Sequence, residues 1–595
     1  MSLDRLGVFG YNLPARVSAA VIPAAFNIAG CIGRFARGLT STVLVESVSD
    51  LDLICGTYNS GKYGRYVLDS FFKNLGGQSA KLYVKQYQAT DAVQATATIL
   101  DQSSVSTFTI KAGYKGIVDK SADGNLTGYT ITNGARFTTT TSATAISGAT
   151  SIVLSSVSGI RVGDIIKIIS SGPVTHYAKV SAIVEATKTL TITALTNAVG
   201  SSDVVTAIGF QIKTYRKSSR GISSLVNLPE NNIWLSLESE NTEFYINNAF
   251  ANHPYLILAD SSSATTPIQN TYPSDVTTAT YLTIGSDGTS PTSSSDWNLY
   301  SSFDIYPIRY LFNSDTTLSG VNIDGESYCG NRLDTPQWVY NIPAQQTKAQ
   351  YIAIGQSYQR SNQVNGGIIA GWRNVSDPIG VGSNPVLRIP NVGAIVGNWI
   401  KTFYTLGFHR SPAGYDAPLI GFTDTPDSTE DLFSDVDVAD LANAGMNVCQ
   451  KISGAGLILR SFVTPSTATA YKFWKWNLQQ NFIKISAAES NSNAANRPNR
   501  ISALKQIGES IKDFGEKLFQ GSYPYGIDPV NGAFGQFFKD DGTVSNFEDI
   551  FQVQVDQFNN PNSAIIAGEG SIFVYCFFSP DLLKLGIGVG ILIPV

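Results

Sequence analysis

The stretch Lys62-Tyr-Gly-Arg-Tyr-Val-Leu-Asp-Ser-Phe-Phe-Lys-Asn-Leu-Gly-Gly-Gln-Ser-Ala-Lys-Leu-Tyr-Val-Lys-Gln-Tyr87 carries two signals in succession. Tyr66, Val67, Ser70, Phe71 and Leu75 recur at helical spacing, Gly76-Gly77 stops the helix, and Lys81–Tyr87 reads as a strand. Upstream, Phe26–Ile32 and Thr42–Val48 read as two further strands, so residues 26–87 have α/β order. The same order returns over 220–420. Trp234–Leu237 and Tyr255–Ala259 read as strands around a helix at Thr242–Phe250, and Trp338-Val-Tyr-Asn-Ile-Pro343 as a strand running into a turn before a helix near Gln346–Arg360. The Ser/Thr/Asp/Gly/Pro-rich stretch 260–298 reads as a long loop.

Between these blocks, residues 95–215 are rich in Thr, Ser and Ala. Within them 137–208 reads as a compact all-β insertion with strands at Ser151–Leu154, Asp164–Ile169, Tyr177–Val184 and Thr189–Leu195. Beyond 430 helices dominate, at Asp437–Asn443, Tyr471–Ser486 and Ile501–Phe519. The last is amphipathic, with Ile501, Leu504, Ile507, Ile511, Phe514 and Leu518 on one face. Two strands close the body. Ile550–Phe558 alternates Phe551, Val553 and Val555 with polar residues, and Ser571–Phe578, through Phe573 and Tyr575, is continuously apolar and reads as central.

Both ends of the chain read as extended arms. Arg16-Val-Ser-Ala-Ala-Val-Ile22 is ended by Pro23 and contributes Val17, Ala19, Val21 and Ile22. Leu585-Gly-Ile-Gly-Val-Gly-Ile-Leu-Ile-Pro-Val595 alternates Ile587, Val589 and Ile591 with glycines and adds Ile593. Glycine weakens a strand interior unless another backbone comes close on that face. A free apolar strand is an aggregation hazard, so this one calls for an acceptor, in the same subunit or in a neighbour.

The 595 residues exceed one core, and three to five domains are expected. Charged residues make up only 15% and the net charge is −5, which argues against nucleic-acid binding. Five scattered cysteines without CxxC spacing argue against a disulfide framework and a zinc site. Met1–Leu6 lacks the pattern of a secretory signal, and no apolar run reaches the roughly 18 residues of a membrane span, so synthesis and assembly in a cytoplasm are expected.

The chemistry-bearing patterns are thin. Gly56-Thr-Tyr-Asn-Ser-Gly-Lys62 fits a phosphate loop but continues with Tyr63, where magnesium needs Ser or Thr, and reads as a turn before the next helix. His176, His253 and His409 are far apart in sequence, and His409-Arg-Ser411 is too tight for a base and its nucleophile to face each other. Asp435, Asp437 and Asp440 lack the glycine of a calcium loop and read as charges favoured at a helix N-terminus.

Several segments, in order, resemble the contractile tail sheath proteins of phages and related injection machines. They are Ile28-Ala-Gly-Cys-Ile-Gly33 with Arg37-Gly38, Val43-Leu-Val-Glu-Ser47, Leu53-Ile-Cys-Gly56, and Asp69–Gly77 followed by Lys81–Val84. Ala112-Gly113, Gly116 and Gly124-Asn125 resemble the family's Pro-Gly and Gly-Asn turns, with Tyr114-Lys115 where the Pro would stand. Asn331-Arg-Leu-Asp334 with Tyr340–Pro343 resembles its central strand. Leu441-Ala-Asn-Ala-Gly-Met-Asn447, Gly454–Ile458, Arg460 and Thr464 form the most specific match, and Trp474–Phe482 and the 501–519 helix complete the order. The likeness spans about 400 residues and skips 137–208.

The resemblance implies an α+β multidomain chain. Its parts would be an arm (1–22), an N-terminal α/β part (23–95), a β-rich outer domain (96–220), a subtilisin-like middle domain without a protease triad (221–470), a tube-facing α+β domain (471–584) and a donated strand (585–595). It implies a structural protein with no cofactor or metal, polymerising helically with itself around a tail tube, meeting baseplate and terminator proteins, and located in a virion tail. Contraction from a metastable extended state would drive the tube through an envelope. The arms (Val17, Ala19, Val21, Ile22; Ile587, Val589, Ile591, Ile593) would add strands to a neighbour's sheet built on Phe551, Val553, Val555, Phe573 and Tyr575. Lys505, Lys512 and Lys517 would face the tube. The alternatives are another virion component (capsid, fibre or tube) and a degenerate hydrolase.

Overall fold

A computed structural model describes residues 20–170, 172, 174–218, 221–237, 242–260, 272–381, 385–423, 428–492, 500–521 and 533–578. The chain is a mixed α+β, multi-sheet protein. Its body is built on an eight-stranded sheet in the spatial order Val43–Val45, Lys81–Gln86, Ile28–Gly33, Tyr310–Asn313, Gln337–Asn341, Gly366–Ala370, Met446–Ile452, Gly456–Leu459. The six inner strands are parallel and the two outermost pair antiparallel. Counted along the chain, the parallel strands run 2-1-3-4-5-6, so the winding reverses between Ile28–Gly33 and Tyr310–Asn313.

Side-chain alternation explains why this sheet is buried on both faces. Ala29, Cys31, Tyr310, Phe312, Val339, Ile369 and Cys449 point into one core, against helices Gly64–Asn74, Val392–Thr405, Trp474–Ser490 and Ile501–Phe519. Ile28, Ile32, Leu311, Trp338, Tyr340, Ile368 and Met446 point into the other, against Ser319–Asn331 and Lys348–Ser357. Helices Gly64–Asn74 and Val392–Thr405 cross backbone to backbone. A Cβ on Gly393 would lie 2.5 Å from the Val67 carbonyl oxygen, and one on Gly397 2.3 Å from that of Phe71.

The outer layer hangs on two 14-residue strands, Thr127–Thr140 and Val204–Lys217, paired antiparallel along their whole length. Near the body they pack Tyr129, Ile131, Phe210 and Ile212 against the sheet of Thr96–Leu100, Ser106–Tyr114 and Leu256–Asp260. Farther out they join Ile165–Ile169, Thr175–Val184, Thr189–Ile192 and Ser151–Val153 around a separate core of Ile152, Leu154, Ile166, Ile168, Val180 and Leu190. These are the four strands expected for the 137–208 insertion.

Sheet membership cuts across the expected boundaries at 95 and 220. Ile28–Gly33 and Lys81–Gln86 share a sheet with Tyr310–Asn313, while Leu256–Asp260 and Val276–Tyr281 belong to the outer layer.

Several local expectations are corrected. The expected strand Thr42–Val48 ends at Val45, because Ser47 and Asp50 form a reciprocal capping box that starts a helix at Val48–Ile54. The stretch 260–298, expected to be a loop, contains the strand Val276–Tyr281, which is rich in β-branched residues and pairs antiparallel with Thr127–Thr140. Trp234–Leu237 forms only single bridges, Leu235 to Phe210 and Ser236 to Tyr245, and the expected helix Thr242–Phe250 shrinks to Ile246–Ala249.

Body and outer layer meet at Arg37, whose side chain is 1% exposed. Its Nε donates to Asp119 Oδ2 at 2.9 Å, Nη1 to the Leu53 carbonyl and to the Pro254 carbonyl at 2.9 Å, and Nη2 to the Gly113 carbonyl at 2.8 Å. Asp119, also 1% exposed, accepts further from Gly38 N–H and the Ser121 hydroxyl. A buried pair persists only when its remaining donors and acceptors are well supplied; here every nitrogen of Arg37 and both oxygens of Asp119 are hydrogen-bonded.

Candidate functional site

The closing strands come together as an antiparallel ribbon, Phe551–Gln554 with Phe573–Cys576. The expectation that Ser571–Phe578 is a central strand is corrected. Among the described residues its sheet has two strands, and its apolar run divides between two faces. Phe551 is fully buried, and Val553, Val574 and Cys576 pack inward on the same core as helix Ile501–Phe519. Gly508 and Gly515 of that helix admit them: a Cβ on Gly515 would sit 2.6 Å from the Phe551 ring, and one on Gly508 3.1 Å from Val555. Phe573 and Tyr575 point the other way and are 47% and 53% exposed, beside Gln554 and Gln552. Tyr575 donates its hydroxyl to Gln554 Oε1 at 3.1 Å. Val555 lies one residue past the strand end.

The five residues expected to build a receiving sheet lie on the two faces of this ribbon and at its end. Phe551, Val553 and Val555 anchor the ribbon to its helix, and Phe573 and Tyr575 present an aromatic outer face, extended by exposed Phe577 and by Phe537, whose ring meets Phe577 at 5.4 Å. The helix itself buries Ile507, Ile511, Phe514 and Leu518 as its periodicity predicts, but Ile501 is exposed. On its polar side Lys505 and Lys517 are exposed. Lys512 bonds Glu548 at 3.0 Å, which raises its pKa, so its charge is already matched within the subunit.

Of the arm residues, Val17, Ala19, Ile587, Val589, Ile591 and Ile593 lie outside the described residues. Val21 is buried in this chain's own core, and Ile22 is exposed. The segment is held along helix Trp474–Ser490, with Ile22 N–H donating to Ser490 Oγ at 2.8 Å and Ala24 N–H to Ser486 Oγ at 3.0 Å. Val21 is thus packed within its own subunit.

The crevice where the winding reverses is the usual ligand position of an open α/β sheet. Here it is filled by Asp315, whose side chain is 1% exposed. Its carboxylate accepts from Arg34 N–H at 2.8 Å, Arg34 Nε at 3.2 Å, Tyr63 N–H at 3.1 Å and the Ser314 hydroxyl at 2.7 Å. The chain's own anion occupies the start of helix Gly64–Asn74. Nothing in the sequence around Asp315 marked it for this position.

The phosphate-loop look-alike follows helix Val48–Ile54 instead of a strand, and Lys62 Nζ is spent on the Phe35 carbonyl and Asp287, both at 2.9 Å. His253 is fully buried. Its Nδ1 accepts from Tyr255 and Leu256 N–H at 3.1 and 2.9 Å, which leaves the proton on Nε2 beside Thr214. Burial, helped by the Arg37 charge, pushes its pKa down to about 3, so it is a fixed neutral acceptor. His176 lies in the insertion core beside Thr196, and His409 is buried beside Phe408. Asp437 caps helix Asp435–Asn443 in a reciprocal box with Ser434, as its expected N-terminal role requires, and bonds Lys348. No group of three metal-ligating side chains occurs among the described residues.

No protein-family model and no curated protein matches the chain. Among solved structures it is similar to the sheath tail protein Lin1278 from Listeria innocua, with 12% identity and a TM-score of 0.47 over 93% of this chain and 96% of that one. It is also similar to a chain of the anti-feeding prophage baseplate (14% identity, TM-score 0.38, 49% of this chain and 73% of that one). A third is the sheath complex of an extracellular contractile injection system in its contracted state (15% identity, TM-score 0.37, 48% of this chain and 70% of that one).

Proposed function

We propose that this chain is the structural subunit of a contractile sheath. Copies polymerise helically around a tail tube in an extended, metastable state, and contraction to a state with more buried contact drives the tube through an envelope. The observation that carries this reading is the C-terminal ribbon. It has two strands, both outer edges unpaired among the described residues, an aromatic outer face, and a rigid mounting on helix Ile501–Phe519. An open edge of this kind accepts a strand by backbone hydrogen bonds, with alternate side chains setting register. The ordered sequence motifs support the same reading.

In this reading the arms 1–20 and 585–595 are the donated strands, and Val21 marks where the first leaves its own subunit. Donation is head to tail, so the contacts never close and a helical lattice grows. Each subunit supplies about a few kcal/mol of differential interface free energy, summed along the lattice. The doubly wound body corresponds to the subtilisin-like middle domain, and the 471–584 region faces the tube, with Lys505 and Lys517 exposed on the polar side of its helix. Baseplate and terminator proteins cap the ends, and the subunit is stored in the cytoplasm of the producing cell before joining the tail. Among the described residues no helix is long and apolar enough to cross a membrane.

Negative-stain imaging and sedimentation of the full chain test the reading. Long hollow cylinders or stacked rings are expected from the full chain, and isolated subunits from a chain lacking residues 586–595. Cylinders formed equally well by the truncated chain would remove the arm mechanism.

A further inference from the structure

Beside the crevice that Asp315 fills lies a cavity of about 180 Å³, off the carboxyl ends of Ile28–Gly33 and Lys81–Gln86. Arg34, Lys62, Lys120, Asp287, Thr289 and Ser290 contribute to its wall. Its donors are only partly used. Arg34 spends Nε on Asp315 and Nη2 on the Gly61 carbonyl, which leaves Nη1. Lys62 spends two of its three protons on the Phe35 carbonyl and Asp287. The Lys120 ammonium has no hydrogen bond or ion pair among the described residues, its backbone N–H alone being bonded, to Gly38. Thr289 gives both its N–H and its hydroxyl to Asp91, while neither the N–H nor the hydroxyl of neighbouring Ser290 has a partner among the described residues.

We propose that this cavity binds a small tetrahedral oxyanion, inorganic phosphate or the phosphate group of a monoester. Charge sets the sign of the ligand. With Arg34 matched by Asp315, Lys62 by Asp287 and Arg37 by Asp119, Lys120 is the cation of this wall without a carboxylate partner among the described residues, while the nearby Asp91 carboxylate is turned to the N–H and hydroxyl of Thr289. Donor geometry sets the class. A planar carboxylate is best held by a two-pronged guanidinium, but Arg34 has one free nitrogen. Two lysines acting as point charges, together with a serine hydroxyl and a backbone N–H, suit a group that accepts from several directions. Size sets the limit, because sites for drug-sized ligands occupy about 300–1,000 Å³. The phosphate group fits, and a nucleoside attached to it would have to lie outside. The position is that of ligands in open α/β sheets, displaced one strand sideways because Asp315 holds the reversal point itself. This assignment is independent of the sheath reading.

Binding is read on the full chain by 31P line broadening of inorganic phosphate and by the thermal midpoint in phosphate against chloride at equal ionic strength. The expected result is broadening and a midpoint that rises with the logarithm of phosphate concentration. Lys120→Ala should weaken the apparent affinity at least tenfold while leaving the midpoint in chloride unchanged, since the side chain holds nothing in the fold. Lys81→Ala, an exposed lysine at the opposite end of its strand, should bind as the parent does. Glycerol 3-phosphate in place of phosphate separates the two sources: equal or tighter binding assigns a monoester, and weaker binding assigns the free ion. No phosphate-specific broadening or midpoint shift in the parent chain, or the same effects in Lys120→Ala, would overturn the proposal.

Discussion

The Asp315 carboxylate grips Arg34 twice, through the backbone N–H at 2.8 Å and through Nε at 3.2 Å, and so closes the crevice between the two strands where the sheet reverses. Removing it leaves the N–H groups of Arg34 and Tyr63 and a guanidinium without their anion. Asp315→Ala is expected to lose about 3 kcal/mol of stability in denaturant unfolding. Formate at tens of millimolar should restore part of that loss in the variant and none in the parent, because it replaces the missing carboxylate.

Arg37 and Asp119 form the buried joint between body and outer layer. Asp119→Ala leaves a buried guanidinium without its carboxylate, and a destabilisation of about 3–5 kcal/mol is expected. Limited proteolysis should then cut first at the joint, releasing a fragment that contains the 137–208 insertion. Uniform digestion of the variant would show that the pair holds no particular boundary.

The crossing of Gly64–Asn74 with Val392–Thr405 allows no side chain at Gly397, where a Cβ would meet the Phe71 carbonyl oxygen at 2.3 Å. Gly397→Ala, which would favour an isolated helix, should here cost about 1–3 kcal/mol by forcing the helices apart. A gain in stability would mean that the crossing has slack.

His253 supplies a pH dependence whose sign follows from its depressed pKa. Between about 3 and its unfolded value near 6.5, the unfolded chain binds a proton that the folded chain refuses, so stability rises with pH through that window and levels off above it. The contribution is about 1.4 kcal/mol per pH unit at its steepest. Denaturant unfolding between pH 4.5 and 7.5 should show this slope reduced in His253→Gln relative to the parent.

Phe573 and Tyr575 face outward, so Phe573→Lys with Tyr575→Lys should change monomer stability by no more than about 0.5 kcal/mol. If the proposed sheath reading holds, the same pair should abolish cylinder formation, because two charges would be set on the aromatic face it assigns to subunit contact. Normal cylinders from the double variant would remove this face from the lattice.

What could be read from sequence followed the strength of local signals. Lys81–Gln86, Ile501–Phe519 and the four insertion strands stand nearly where their periodicity puts them, since each buries one regular stripe. Val392–Thr405 carries a stripe of Val392, Ile395, Val396, Trp399 and Phe403 at helical spacing, and its burial extends beyond that stripe to Asn398 and Thr402. The ribbon did mislead. Its Phe573–Cys576 run is apolar on both faces although one of them is open, a pattern that a central strand shares. Asp315 was illegible because its role depends on Arg34, Tyr63 and Ser314, of which two are about 250 residues or more distant along the chain.

The paired strands Thr127–Thr140 and Val204–Lys217 have a mechanical consequence. They span about 45 Å without a break in the ladder beyond one bulge at Ala207/Ile208. A force along them loads the backbone hydrogen bonds of that ladder in shear, all at once, instead of peeling them one by one. The insertion is therefore a stiff outrigger, and its tip magnifies any rotation at the Arg37 joint by the length of that ladder.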